Sequence, residues 1–204
     1  MIHCLSNARA GTQHTVLRNM FEARKRIFID LLRWDLPVLA GRFEVDRFDN
    51  DKATYIVLAD TDGAHRASAR LLPTTEPHIL DTLFAQLCEE ALPRDPTTME
   101  ITRFCLERKS NAVERRAARD ELIHALVAFG LANGIKRYTG VAEVPWLRQI
   151  LSFGWRCRQL GRPALVGGRW LGAMTIEIDE DTPALLERGG VPVVPCRRGS
   201  RHVH

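Results

Sequence analysis

Thr98-Met-Glu-Ile-Thr-Arg-Phe-Cys-Leu106, followed after a short polar break by the long run from Asn111 to Asn133, sorts this chain into a fold class. The first nine residues alternate and are rich in β-branched and aromatic types, so they read as a strand. The run behind them carries Val113, Ala117, Leu122, Ala125, Leu126 and Phe129 at helical spacing. It closes on Asn133-Gly134, the usual helix stop. A strand feeding a long helix is the unit from which α/β folds are built. Alternation puts Glu100, Thr102 and Phe104 on one face of the strand, and Ile101, Arg103 and Cys105 on the other. Glu100 and Arg103 therefore serve different purposes unless a bulge intervenes.

Upstream, Ala53–Ala59 and Ala67–Leu72 read as two strands joined across Asp60-Thr-Asp-Gly-Ala64, a hairpin turn signal. Arg70 breaks the apolar run of the second strand, which points to an inward charged role. Ile2–Leu5 is a short opening strand, and Thr12–Leu32 is an amphipathic helix on which Arg24 and Phe28, four apart, share a face. The irregular segment from Arg33 to Asp51 is long for a connection in a compact domain, and such loops are often functional. It holds Glu44-Val-Asp-Arg-Phe-Asp49, whose carboxylates Asp46 and Asp49 either converge on one cation or hold nearby arginines in a network. Ile79–Ala91 reads as a short helix.

Downstream come a strand at Tyr138–Ala142 and a helix at Pro145–Phe153. Two final strands follow, Arg156–Leu160 and Leu171–Ile178, around a turn at Gly167-Gly168. After Asp179 the chain turns polar and basic. The expected organisation is one domain over residues 1–182 and a loosely held tail over 183–204.

The 204 residues, 45% hydrophobic and 26% charged, suit one globular core. A net charge of +4 favours acidic partners such as nucleotides, acidic carrier proteins or nucleic acid. The arginines are interspersed with acids and form no nucleic-acid reading motif, so nucleic acid is not expected. The cysteines are five and scattered without a C-x-x-C pair, and the histidines match no ligand spacing. Disulfides and a metal centre are therefore not expected. Neither a signal peptide nor a membrane span is legible, and the cytoplasm is the expected location.

Arg24, Phe28, Trp34, Asp46, Asp49, Arg70 in Ser68-Ala-Arg-Leu-Leu-Pro-Thr74, Phe84, and the Glu100-Ile-Thr-Arg-Phe104 segment occur in a characteristic order. No one of them is specific, but together, over about Met1–Glu177, the chain resembles the acyl-homoserine-lactone synthases, the LuxI-type autoinducer synthases of bacterial quorum sensing. The resemblance implies a GNAT-like mixed sheet covered by helices on both faces. It also implies that the amine of S-adenosylmethionine is acylated from a thioester and that lactone closure releases methylthioadenosine. S-adenosylmethionine is then a substrate and no cofactor is expected.

On that resemblance Glu100 is the general base. Asp46 and Asp49 form the S-adenosylmethionine pocket with Arg24, Phe28 and Trp34, and Arg24 either meets the substrate carboxylate or stiffens the aspartates. Arg103 anchors the loop as partner of Asp46 and Asp49. Arg70, Phe84, Thr102, Phe104 and Ala142 complete the substrate-facing set.

Cys105 is expected to be a buried structural thiol. An ordinary acetyltransferase of this superfold carries a glycine-rich turn for the coenzyme A pyrophosphate. Here the segment from Glu107 to Arg119 has no glycine and many arginines, which favours the lactone synthases. The alternative is an N-acyltransferase of the same fold acting on another amine. Arg148, Arg156, Arg158, Arg162 and Arg169 are expected to meet an acidic acyl carrier protein, favoured over coenzyme A as the acyl vehicle. Ala142 stands where members that take 3-oxo chains carry a threonine, so an acyl chain without that group is expected.

Overall fold

The computed structural model describes residues 1–6 and 12–193. Its centre is a mixed sheet in the order β1 (Ile2–Ser6), β4 (Thr54–Ala59), β5 (His65–Pro73), β6 (Thr98–Leu106), β7 (Arg137–Glu143), β10 (Arg169–Glu177) and β8 (Cys157–Gln159). A short β9 (Ala164–Val166) also pairs with β10. Neighbours are antiparallel except β6 and β7, which run parallel. A two-strand ribbon, β2 (Val38–Leu39) and β3 (Phe43–Glu44), stands apart.

The alternation of β4 explains why both faces are covered. Tyr55, Val57 and Ala59 pack with Val16 and Met20 of α1 (Thr12–Arg24). Ile56 and Leu58 turn the other way, onto Leu122 and Leu126 of α3 (Ala112–Ala132). Each such buried aliphatic side chain contributes roughly 1.5–3 kcal/mol relative to exposure. Asn111 caps α3 through its side chain and Glu114 reaches back to the Asn111 N–H, which fixes where the helix starts. The architecture is the expected helix-covered mixed sheet.

Several elements differ from the sequence expectation. The first helix does not run evenly to Leu32. It becomes a π-helical turn over Lys25–Leu31, and Arg33 takes φ 56°. The wider turn brings Phe28 and Trp34 into a stack with ring centroids 4.9 Å apart. The helix expected over Ile79–Ala91 is only α2 (Ile79–Leu83) followed by a 3₁₀ turn at Ala85–Leu87. Leu80 and Leu87 bury against Leu160 and Ala173, and the Glu89 N–H donates to Leu160 O, so tertiary packing takes the chain out of the helix. Val113 is 79% exposed and does not belong to the α3 stripe, which runs instead through Ala118, Leu122, Ile123 and Leu126.

Gly167 and Gly168, at φ 57° and 79°, make a tight turn between β9 and β10, a pairing the sequence reading lacked. The expected tail begins as α5 (Thr182–Arg188), with Leu186 and Val191 buried against the core that includes α3. His124 Nε2 lies 2.9 Å from Val191 O. The chain up to Val191 is therefore held by the core rather than loose, and residues 194–204 lie outside the described part. No helix among the described residues is long and apolar enough to cross a membrane.

Candidate active site

The parallel pairing of β6 and β7 lasts only from Thr98↔Arg137 to Glu100↔Thr139. Both strands continue past that point, to Leu106 and Glu143, without further pairing to each other. Between the parted strands lies a cavity of about 1320 Å³. Its walls include Ile101, Thr102 and Phe104 from β6 and Val141, Ala142 and Glu143 from β7.

The cavity has two ends of different chemistry. One is polar and aromatic, lined by Phe28, Trp34, Asp46, Arg47, Phe48 and Arg103. The other runs under α3 and is apolar, lined by Ile123, Leu126, Phe153, Trp155, Met174 and Ile176. Glu100, Thr102, Phe84 and Ala142 also line it.

A bulge in β6 builds the polar end. Arg70 pairs with Thr102 and Ser68 with Cys105, so Arg103 and Phe104 together oppose Ala69, and Arg103 takes φ 51°. The extra residue reverses the alternation. Thr102 and Arg103 both reach the α1 side, while Phe104 turns to Trp146 at 5.3 Å and away from the face of Glu100. Cys105 is buried with Ala23 and Phe28, and burial pushes its thiol up to about 12, which suits a structural residue.

Behind the polar end three carboxylates meet three guanidiniums. Arg24 binds Glu44 and grips Asp49 through both nitrogens. Arg70 binds Asp46 through Nη1 and Nη2, reaches Asp49, and donates from Nε to Thr102 Oγ1 at 2.9 Å. Arg103 bridges Glu44 and Asp46, at 3.1 and 2.7 Å. It does not join Asp49 as the sequence reading expected. The three carboxylates lie close enough to hold a cation, yet every one of their oxygens already faces a guanidinium. Of the two roles left open for this cluster, the structure adopts the arginine network. Burial alone would raise the Asp49 carboxyl, but hydrogen bonds and charge from Arg24, with Arg70 behind, hold it well below the usual carboxylate range.

Glu100 stands apart from that network. It is fully buried, and its two oxygens accept the N–H groups of Ile79 and Leu80 at 2.7 and 2.9 Å, at the start of α2. Burial outweighs those bonds and the nearby Arg70, pushing its carboxyl up to about 8. Such an acid exchanges its proton near neutral pH, as a general base must.

The autoinducer synthase family model matches residues 9–185 of the chain. This chain belongs to the autoinducer synthase family. It is 37% identical over 179 residues to an acyl-homoserine-lactone synthase of Ralstonia nicotianae, covering 84% of this chain and 87% of that one. It is 30% identical to the isovaleryl-homoserine lactone synthase of Bradyrhizobium diazoefficiens, over 98% and 91% of the two chains. Among solved structures, the CoA-dependent acyl-homoserine lactone synthase BjaI, with SAM and isopentyl-CoA, superposes with a TM-score of 0.83. That match has 30% identity and covers 94% of this chain and 90% of the other.

Within this family member the residues expected from sequence separate into two layers. Phe28, Trp34, Asp46, Phe84, Glu100, Thr102, Arg103, Phe104 and Ala142 line the cavity. Arg24, Asp49 and Arg70 do not line it; their side chains are buried behind it as the support of Asp46 and Arg103. Sequence reasoning missed Glu44 as a member, although it stands in the quoted hexapeptide, because nothing local says that a two-residue strand will bury it. It also missed Glu143 and Trp146, where the only signal was their place around Pro145 at a helix start.

Proposed function

We infer that this chain is an acyl-homoserine-lactone synthase, acylating the amine of S-adenosylmethionine from an acyl thioester and closing the lactone with release of methylthioadenosine. Beyond family membership, one observation carries the reading. A single cavity joins a polar aromatic end to an apolar end, with an acid tuned to about 8 on its wall. At about 1320 Å³ it exceeds the roughly 300–1,000 Å³ of a site for one small molecule, as a two-substrate reaction requires.

In this reading S-adenosylmethionine occupies the polar end. The aromatic side chains of Phe28 and Trp34, which line that end, suit its sulfonium and adenine, and Asp46 and Arg103 beside them suit its charged amino-acid part. Arg24, Asp49 and Arg70 act through them. The acyl chain runs between β6 and β7 into the apolar end.

Glu100 takes a proton from the attacking amine, directly or through one water. Its oxygens keep a second lone pair after accepting the Ile79 and Leu80 N–H groups. The nitrogen bonds to the thioester carbonyl carbon, and the carbon–sulfur bond breaks with its electron pair leaving on the thiolate. Backbone N–H groups on the open strand edges stabilise the intervening oxyanion. The substrate carboxylate oxygen then attacks the carbon beside the sulfonium, and that carbon–sulfur pair leaves on sulfur as methylthioadenosine.

The donor presents a phosphopantetheine arm, whether on a carrier protein or in coenzyme A. Arg108 and Arg115 line the cavity beside the start of α3 and suit its phosphate. The arginines expected to dock a carrier are largely answered internally. Arg156 pairs with Asp179 and Asp181, Arg158 with Glu90, Arg162 with Glu89 and Arg169 with Glu143. That surface offers a carrier less net charge than its sequence suggests.

The deciding experiment incubates purified protein with S-adenosylmethionine and a panel of acyl thioesters and follows products by mass spectrometry. Acyl-homoserine lactone with equimolar methylthioadenosine is expected. Acylation of polyamines or peptides instead would overturn the reading.

A further inference from the structure

Arg169 is anchored over the mouth of the cavity by contacts that no role at the outer surface explains. Its Nη1 donates to Glu143 Oε1 at 2.6 Å, and its Nη2 donates to the Leu32 carbonyl. The guanidinium carbon lies 5.7 Å from the centre of the Trp34 ring. Trp34 Nε1 donates to the same Glu143 Oε1 at 3.3 Å, and the indole stacks on Phe28. These contacts tie three separate elements together: the turn after the π-helix, the end of β7 and the start of β10. All five residues line the cavity.

The arrangement fits arginine and no other residue. One prong meets a carboxylate, the second meets a backbone carbonyl, and the guanidinium lies over an aromatic ring. A lysine keeps the charge but cannot make these contacts at once. Arg169 and Glu143 are each about one-third exposed, and such pairs contribute only about 0–1 kcal/mol to stability. Stability is therefore a poor account of the cluster. Its geometric effect is larger, because Arg33 at φ 56° leaves the backbone before Trp34 in an unusual conformation that outside contacts must hold.

We propose that Arg169, with Glu143, is a positioning residue that pins Trp34 and so shapes the S-adenosylmethionine end of the cavity. This rests on the assignment of that end to S-adenosylmethionine. It gives Arg169 a task opposite to carrier docking, and the two tasks separate in kinetics. Initial rates are measured with S-adenosylmethionine and the acyl donor varied independently, for wild type, Arg169→Ala, Arg169→Lys and Glu143→Gln. Arg18→Ala, which removes an exposed pair with Glu22 on α1, is the control.

Arg169→Ala is expected to raise the KM for S-adenosylmethionine roughly tenfold, the loss of about 1.4 kcal/mol of binding, with kcat at saturation and the donor KM within about twofold. Arg169→Lys behaves nearly as the alanine variant. Glu143→Gln has a smaller effect, since the amide oxygen still accepts from both partners. Titration calorimetry with S-adenosylmethionine gives the same ranking without turnover, and Arg18→Ala matches wild type throughout. An unchanged KM for S-adenosylmethionine in Arg169→Ala overturns the proposal. So does a salt-sensitive rise in the donor KM that Arg169→Lys rescues, since that is the signature of docking. A wild-type protein that does not use S-adenosylmethionine overturns the proposed function instead.

Discussion

Arg24 grips Asp49 through two parallel hydrogen bonds, Nη1 to Oδ1 and Nη2 to Oδ2, both 2.8 Å long and both hidden from solvent. A buried bidentate pair of this kind is costly to break from one side, because the partner is left charged and unpaired. Arg24→Ala should therefore destabilise the fold by about 3–5 kcal/mol, whereas Arg24→Ala combined with Asp49→Ala should recover part of that loss. Chemical denaturation of the three proteins checks this. A double variant less stable than the single would show that the bonds of Asp49 to Arg70, Tyr55 and the Asp46 N–H outweigh the relief of its unpaired charge.

The same network predicts coupling in activity. Asp46 and Arg103 touch at 2.7 Å, and both meet further members of the cluster. Asp46→Asn and Arg103→Ala should each nearly abolish lactone formation, and the double variant should cost little more than either. Fully additive losses in kcat/KM would show that the two side chains act separately.

Glu100→Gln should keep the fold and S-adenosylmethionine binding while slowing turnover by roughly a hundredfold or more. Circular dichroism and calorimetry check the first part, and steady-state rates the second. Unimpaired turnover would remove Glu100 from the chemistry.

The raised carboxyl of Glu100 also leaves a mark on stability. Between its ordinary value of 4.5 and its folded value of about 8, the folded protein holds a proton that the unfolded chain releases. Its contribution is therefore complete below pH 4.5 and is lost as pH rises through 8, by at most about 1.4 kcal/mol per pH unit. Asp49 works in the opposite sense. Its depressed carboxyl stabilises the fold above the ordinary carboxylate range, and that contribution is lost in acid. Unfolding of wild type minus Glu100→Gln, followed from pH 5 to 8.5, should show a falling difference. A flat difference would place the Glu100 carboxyl at its ordinary value.

Truncation separates two parts of the C-terminus. Leu186 and Val191 are buried, and Gly189 packs so closely on Phe153 that a side chain there would strike its carbonyl. Ending the chain at 181 should lower the melting temperature markedly, while ending it at 193 should leave lactone synthesis intact. Equal stability of both truncations would show that α5 adds nothing to the core.

Most of this framework was legible because apolar spacing reports burial. β6 was read to the residue and α3 to within one residue at each end, since Asn111 and Asn133-Gly134 mark its ends. The site was legible as a set of residues but not as a geometry. The bulge at Arg103 is a backbone event with no local residue signal, and it decides that Arg103 joins Glu44 and Asp46. Alternation alone put Arg103 on the wrong face and Phe104 on the face of Glu100. The division into cavity-lining and supporting residues depends on which elements close over Arg24, Asp49 and Arg70, and those elements are distant in sequence. The pairing of the exposed arginines was hidden for a related reason. Their partners Glu89, Glu90, Glu143, Asp179 and Asp181 come from other segments.

The acyl group is tested at Ala142, which is buried and lines the cavity on the stretch of β7 that pairs with β10 but no longer with β6. A 3-oxo chain carries a second carbonyl that leaves water when it enters the apolar end, and its hydrogen bonds must be replaced. Alanine has no group to replace them. The neighbouring hydroxyl of Thr139 donates to the Met174 carbonyl at 2.8 Å, and that of Thr102 donates to the Arg70 carbonyl at 3.4 Å. An unsubstituted acyl donor should therefore be preferred over its 3-oxo counterpart of equal length. Ala142→Thr should shift the ratio of kcat/KM values toward the 3-oxo donor by about two- to tenfold, the worth of one hydrogen bond. The assay offers matched donors, on carrier protein and on coenzyme A, at low and moderate salt. A wild-type preference for 3-oxo chains would show that another group answers the second carbonyl. A donor preference that salt does not alter would show that the vehicle is recognised by its phosphopantetheine arm rather than by surface charge.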